Sequence, residues 1–239
     1  MEEKIFGKNA VLEALKSNIS ISKVSIAKNI HFDKKLQEIV NLSKERNIPI
    51  QYVEKSWLDK ESGGKSQGVG AFLLSTPYYS WEDIEPSLNE NSIVVVLDHI
   101  QDPHNFGAIA RTCEFVGVSA IVIPKARSVG STTSAFKSSA GALSYIPVVR
   151  VANIVEFLKR LKDEGWFIVG ADLDTENFYN EVVYKTPLIV VVGSEGEGLH
   201  RLVKESCDIL VKVPSYGKVE SLNVSVALGI ILYKIREKI

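Results

Sequence analysis

The sequence predicts an α/β protein: a small N-terminal α/β unit, then a larger unit with a mainly parallel sheet covered by helices on both faces. Three observations carry this prediction. From Ile93 onward, apolar runs of strand length alternate with amphipathic stretches of helix length, the pattern of a parallel sheet. The run Ile93-Val94-Val95-Val96-Leu97 is apolar at every position, as a strand buried on both faces requires. The 239 residues, 45% hydrophobic and 24% charged, are enough for two ordinary domains with a core each.

In the first unit the spacing predicts a helix over Lys8–Lys16, a strand near Val24–Ala27, a helix over Lys34–Arg46 and a strand over Ile50–Val53. The second helix places Leu36, Ile39, Val40 and Leu42 on one face, and Asn47 followed by Pro49 stops it. Ser62-Gly63-Gly64-Lys65-Ser66 reads as a flexible loop leading into a strand over Val69–Leu74. The stretch 78–91, with Trp81, Pro86 and four acids, reads as a linker, so the expected units are 1–77 and 92–239.

The second unit continues with strands expected over Ala120–Ile123, Phe167–Val169, Leu188–Val192 and Ile209–Val213. Helices are expected over Asn105–Phe115, Ile154–Glu164 and Leu222–Arg236. The last helix is apolar nearly all round between Val224 and Leu232, which calls for burial inside the domain or against a second subunit.

Composition narrows the function classes. No apolar run approaches the roughly 18 residues of a membrane span, and MEEKIFGKNA has neither a basic leader nor an apolar signal core, so a cytoplasmic protein is expected. Cys113 and Cys207 are the only cysteines, too few for a disulfide framework, and both read as buried thiols. No metal-ligand spacing stands out, and no metal is expected. The net charge of -1 hides segregation: residues 1–77 carry 12 Lys and Arg against 9 Asp and Glu, whereas 78–92 carry four acids and no base. Between Phe115 and Val155 there is no acid, but there are Lys125, Arg127, Lys137 and Arg150, which is either a local basic surface or an ordinary solvated loop.

Two glycine patterns mimic phosphate-binding loops and fail. Gly193-Ser194-Glu195-Gly196-Glu197-Gly198 follows a strand but runs G-x-x-G-x-G, carries two glutamates, and leaves only 46 residues after Gly193. Gly64-Lys65-Ser66 resembles the end of a P-loop, yet Asp59 stands where its first glycine belongs.

Three segments join apolar elements to polar turns: LDHIQDPHNFGAIARTCEFVGV (97–118), VVVGSEGEGL (190–199) and VPSYGKVESLNVSVALGIILY (213–233). In the first, Phe106, Ile109, Ala110 and Cys113 form an apolar helix face from which Arg111 points away. Asp102-Pro103 suits a helix start, with Asn105 an alternative cap. In the second, Gly193 lets the backbone approach a ligand closely. In the third, Ser221 reads as a helix cap.

Together these segments resemble the motifs of the SpoU family of S-adenosylmethionine-dependent RNA ribose 2'-O-methyltransferases, within the SPOUT superfamily, from about Ser92 to the C-terminus. The resemblance implies a parallel sheet with a deep C-terminal trefoil knot, and a homodimer. It implies a catalytic set of Asn105, Arg111, Glu195, Ser221 and Asn223, with Glu195 orienting Arg111. It implies a cofactor site at Ala171, Gly193, Glu195, Gly198, Val213, Leu222 and Asn223. The family usually has Ile-Pro-Met-x-Gly where this chain has Val213-Pro214-Ser215-Tyr216-Gly217, a departure that removes an apolar contact near the cofactor.

Phe6-Gly7-Lys8-Asn9-Ala10-Val11-Leu12-Glu13-Ala14-Leu15 and Gln67-Gly68-Val69 resemble the ribosomal-protein-like RNA-binding domain of many such enzymes. With the positive excess of the first unit, this implies RNA contact through Lys8, and Lys125, Arg127 and Lys137 are added from the acid-free stretch. The resemblance implies a guanosine of 23S ribosomal RNA as target, with a transfer RNA as the alternative. A noncatalytic RNA-binding protein of this fold would be expected to lack the site residues. A covalent base methylase needs a nucleophilic thiol, and Cys113 lies on the apolar helix face.

Overall fold

The structure, a computed structural model, describes residues 4–16, 21–73, 78–126, 128 and 133–239, excepting the side chains of Thr133 and Lys137. Contacts divide the chain into two units, Met1–Ser75 and Thr76–Ile239.

In the smaller unit, β1 (Lys4–Phe6), α1 (Lys8–Lys16), β2 (Ile21–Ala27), α2 (Lys34–Glu45), β3 (Ile50–Val53), α3 (Lys55–Ser62) and β4 (Val69–Leu73) build a four-stranded sheet of order β1-β4-β2-β3. β2 and β3 run parallel, and β4 runs antiparallel to β1 and β2. The apolar faces read from the sequence meet in one core of Val11, Leu15, Val24, Ile26, Leu36 and Ile39. Asp33 starts α2 by accepting the Leu36 N–H at 2.9 Å, and Asn47 leaves the helix at φ +53°. α3 escapes a reading by periodicity because only Leu58 of its eight residues is buried. Its position before Gly64, with Ser66 bonded to Asp59 at 2.5 Å, places no helix start behind the P-loop mimic.

The larger unit contains β5 (Tyr78–Tyr79), α4 (Trp81–Ile84), β6 (Ile93–Asp98), α5 (Pro103–Val116), β7 (Ala120–Pro124), α6 (Thr133–Ser138), β8 (Val148–Val151), α7 (Ile154–Asp163), β9 (Phe167–Ala171), β10 (Leu188–Gly193), α8 (Arg201–Ser206), β11 (Ile209–Val211) and α9 (Val224–Arg236). Its seven strands are ordered β11-β9-β10-β6-β7-β8-β5, and every pairing is parallel. β6 explains its own composition. Ile93, Val95 and Leu97 enter the core beneath α5 and α9, while Val94 and Val96 enter a second core with α7 and α8 on the opposite face.

Residues 78–91 differ from the expected linker. β5 pairs with β8, and buried Trp81 meets Phe157 edge-on at 4.9 Å and Trp166 at 5.9 Å. Glu82, Asp83 and Glu85 flank Trp81 and Ile84 in the same turns, and the sequence reading weighted the acids over the apolar anchors.

After β6 the chain adds β7 and β8 on one side, then crosses to β9 on the other before β10 fills the gap. A sheet whose strand order reverses in this way leaves a crevice beyond the strand ends at the reversal. α5 packs closely on α6 at Gly107, where a Cβ would lie 2.4 Å from the Ala135 carbonyl and 2.5 Å from Ser138 Cβ. Gly107→Ala is therefore expected to cost about 1–3 kcal/mol of stability by overpacking, read as a lower urea midpoint in equilibrium unfolding.

Candidate active site

The crevice at the carboxyl ends of β9, β10 and β11 is a cavity of about 620 Å³. Each wall follows from a strand end. β9 supplies Ala171 and Asp172, β10 supplies Val192 and Gly193 and the turn to Gly198, and β11 leads into Val213 and the segment to Leu222. Gly193 has no room for a side chain, since a Cβ there would sit 2.0 Å from the Gly198 carbonyl oxygen. Gly196 and Gly198 turn the chain at φ +91° and +67°, in the left-handed region that glycine tolerates. Of the residues expected to hold a cofactor, Ala171, Gly193, Glu195, Gly198, Val213 and Leu222 line this cavity. Ser215, the departure from the family pattern, also lines it and bonds the Val219 carbonyl at 3.2 Å.

Asn223 stands just beyond the lining and gathers the motifs. Its Nδ2 donates to Asn105 Oδ1 at 2.9 Å and to Glu195 Oε1 at 2.5 Å. Its Oδ1 accepts the Ser225 N–H at 3.0 Å, which makes Asn223 the cap of α9 in place of Ser221. Asp102 caps α5 by accepting from the His104 and Asn105 N–H groups, so the Asn105 side chain is released for the site. Ser221 lines the cavity and is exposed.

Arg111 is exposed and, among the described residues, makes no hydrogen bond or ion pair. Six residues past Asn105 on one helix, it projects roughly 120° away around the axis. Glu195 is engaged by Asn223, and the expected Glu195–Arg111 pairing is not formed within one chain.

Of the RNA-contact expectations, Lys8 is 16% exposed and its ammonium bonds Asp33 at 2.7 Å. That pairing, with the Leu36 N–H, holds the Asp33 carboxyl below its usual range. Lys125 is exposed at the end of β7. Arg127 lies outside the described residues, and Lys137 is placed in α6 by its backbone alone.

The sequence reading missed Asp172 and Lys204, which meet at 2.9 Å in the cavity wall. The only signal for Asp172 was an acid directly after a strand run. It also missed Asp98, the polar end of the β6 run. Both thiols are unsuited to nucleophilic chemistry: burial pushes the Cys113 thiol far up and the Cys207 thiol up to about 12.

A parallel sheet with a ligand-sized cavity beyond its strand ends defines an α/β protein that binds its ligand there. Residues 92–233 match the SpoU rRNA Methylase family, and residues 4–79 match the family described as RNA 2'-O ribose methyltransferase substrate binding. The chain is 42% identical to YacO of Bacillus subtilis, assigned to the TrmH family of tRNA/rRNA methyltransferases, over 98% of this chain and 95% of that protein. Among solved structures, the SpoU methyltransferase AviRb from Streptomyces viridochromogenes, in complex with AdoMet, superposes with a TM-score of 0.67 at 20% identity, covering 99% of this chain and 90% of AviRb. The A. aeolicus TrmH/SpoU tRNA modifying enzyme is 33% identical with a TM-score of 0.56, covering 63% of this chain and 76% of that one. The chain belongs to the SpoU/TrmH family of RNA methyltransferases, whose methyl donor is S-adenosylmethionine.

The cavity fits that group on its own terms. Its lining carries Asp172, Asp174, Glu195, Glu197 and Glu220 against Lys204 and Lys212, an acidic excess that suits a donor carrying a sulfonium and an ammonium. Gly193→Ala drives a Cβ into the turn that shapes this cavity. Titration calorimetry with S-adenosylmethionine is expected to show at least a ten-fold loss of affinity, and unaltered affinity would refute the close-approach role.

Proposed function

We propose that this chain transfers the methyl group of S-adenosylmethionine to a ribose 2'-hydroxyl of RNA, with a guanosine of 23S ribosomal RNA as the target. The observation that carries the reading is Asn223, which ties Asn105 and Glu195 together beside the cavity lined by Ser221 and Leu222. Residues 1–77 act as the RNA-binding unit and 92–239 as the methyltransferase unit, with the C-terminal segment forming the family's knot. The support for ribosomal RNA is the match of residues 4–79 to the substrate-binding family and the rRNA description of the family matched by residues 92–233. A second reading, a transfer RNA target, is favoured by the similarity to the A. aeolicus tRNA modifying enzyme. The proposed place of action is the cytoplasm; no helix among the described residues is long and apolar enough to cross a membrane.

S-adenosylmethionine, when bound, supplies an electrophilic methyl on sulfur. The residues have to position a poor nucleophile and stabilise the charge it develops. Fixing the sugar oxygen in line is worth up to roughly 7–11 kcal/mol. Asn105, Ser221 and Asn223 hold the ribose, and Glu195 sets the Asn223 amide. Arg111 clamps the neighbouring phosphate and stabilises the developing alkoxide. It does not act as the base, because a guanidinium with a pKa above about 12 holds its proton. Lys125, Arg127 and Lys137 add contacts to phosphates, which weaken as salt rises.

The chain works as a homodimer in which a second copy covers the face that Arg111 shares with Phe115, 77% exposed at one turn further along α5. Arg111 thereby reaches the neighbour's site. Arg111→Ala is expected to lower single-turnover methylation by at least about 100-fold with S-adenosylmethionine affinity within two-fold of wild type; unchanged turnover removes the clamp. Mapping ribose methyls in ribosomal and transfer RNA from cells with and without the gene is expected to show one lost guanosine methyl in 23S ribosomal RNA. A lost transfer RNA methyl selects the second reading, and no lost ribose methyl overturns both.

A further inference from the structure

A cluster at the carboxyl end of β6 takes no part in the cavity lining or in the Asn223 network. Asp98, the last residue of that strand, is fully buried. Its Oδ1 bonds His99 Nδ1 at 2.6 Å, and its Oδ2 accepts from the His200 backbone N–H at 2.8 Å and from His200 Nδ1 at 2.9 Å. With Nδ1 of each ring turned to the carboxylate, each imidazole presents its Nε2 away from Asp98. Among the described residues neither Nε2 has a hydrogen-bond partner, and the side chains are 30% and 48% exposed. The ring centroids lie 4.4 Å apart, tilted by 53°. One ligand atom from each of the three residues lies within 4.8 Å of the others.

We propose that His99 and His200 bind a divalent transition-metal ion of the zinc class through Nε2, with Asp98 orienting both rings. Metal-ligating histidines typically give their second ring N–H to a carboxylate, which fixes the tautomer and the ring direction. Here one buried carboxylate does this for two rings. Imidazole nitrogen suits zinc, and solvent supplies the remaining corners of a tetrahedron. Zinc–nitrogen bonds of about 2.0–2.1 Å require the two Nε2 atoms to converge on one ion. The half-exposed His200 has the room. His99 holds φ +58°, a left-handed position where glycine fits more easily, and it keeps its ring on Asp98 there.

The site would have a structural consequence for the enzyme. Asp98 pairs in register with Gly193, and His200 is the first residue after Leu199, where the turn from Gly193 ends. A bound ion braces that turn against β6.

The test is titration calorimetry of the full chain, stripped with chelator, with zinc chloride in a non-coordinating buffer. One ion is expected to bind per chain. His99→Gln and His200→Gln, each checked for folding by circular dichroism, are each expected to weaken binding at least ten-fold, while His31→Gln, in the other unit, leaves it unchanged. Asp98→Asn is expected to weaken it about 10–100-fold; should burial prevent that variant from folding, the two histidine variants decide. Absence of stoichiometric binding by wild type, or binding that survives both histidine substitutions, overturns the site.

Discussion

One side chain fixes where the motifs meet. Asn223 uses its Oδ1 to start α9 and its Nδ2 to hold Asn105 and Glu195, residues 118 and 28 positions away in sequence. Its place is set by burial further along the helix, where Leu228, Ile231, Leu232 and Ile235 are locked into the core. The cap is worth about 0.5–2 kcal/mol, a modest term. Burial of α9 sets the helix, the helix sets Asn223, and Asn223 sets the two polar turns. Rigid elements thus position residues that sit on loops.

The fold was legible wherever burial leaves a periodic trace. The unbroken apolar run of β6 and the face of α7, capped by Asn153 and buried through Ile154, Phe157, Leu158 and Leu161, read directly from the chain. Elements with little buried surface did not: α3 buries only Leu58, and β5 has two residues. At the site, residue types were legible but their division of labour was not. Asp102 and Asn223 took the capping roles for which Asn105 and Ser221 were also candidates, because capping depends on backbone geometry that neighbouring Asp, Asn and Ser satisfy about equally well. The Asp98–His200 contact spans 102 residues and leaves no local pattern at all.

Charge shows the same limit. The smaller unit has an excess of three positive charges by count, yet Lys4, Lys8, Lys16 and Lys28 are each paired with a carboxylate. Exposed pairs such as Lys16–Glu38 and Lys28–Glu54 contribute little to stability because solvent screens them, so a phosphate competes for those lysines with little loss. Lys8 is different. It is mostly covered, and its partner Asp33 also caps α2, so releasing it would loosen a helix start. On this ground Lys8 is better suited to shaping the smaller unit than to meeting RNA itself.

The position of Arg111 follows from helix geometry and has a consequence for how the site is completed. Phe106, Ile109, Ala110 and Cys113 consume the buried side of α5, and Asn105 is turned toward the α9 cap. Arg111 is left on the remaining side with Phe115. α9 packs alongside, its Arg236 bonding the carbonyls of Val116 and Gly117 at the end of α5, and it too leaves Val226 and Tyr233 half-exposed on one face. Two adjoining helices that both expose large apolar groups form the kind of surface that associates in water. A second copy on that surface would remove the apolar groups from solvent and desolvate Arg111, strengthening its hold on an anionic substrate in the same step. A single chain brings the Asn105 and Asn223 amides and the Glu195 carboxylate together. In the proposed homodimer the cation, roughly 120° away around α5, meets a site through the second copy that covers that face.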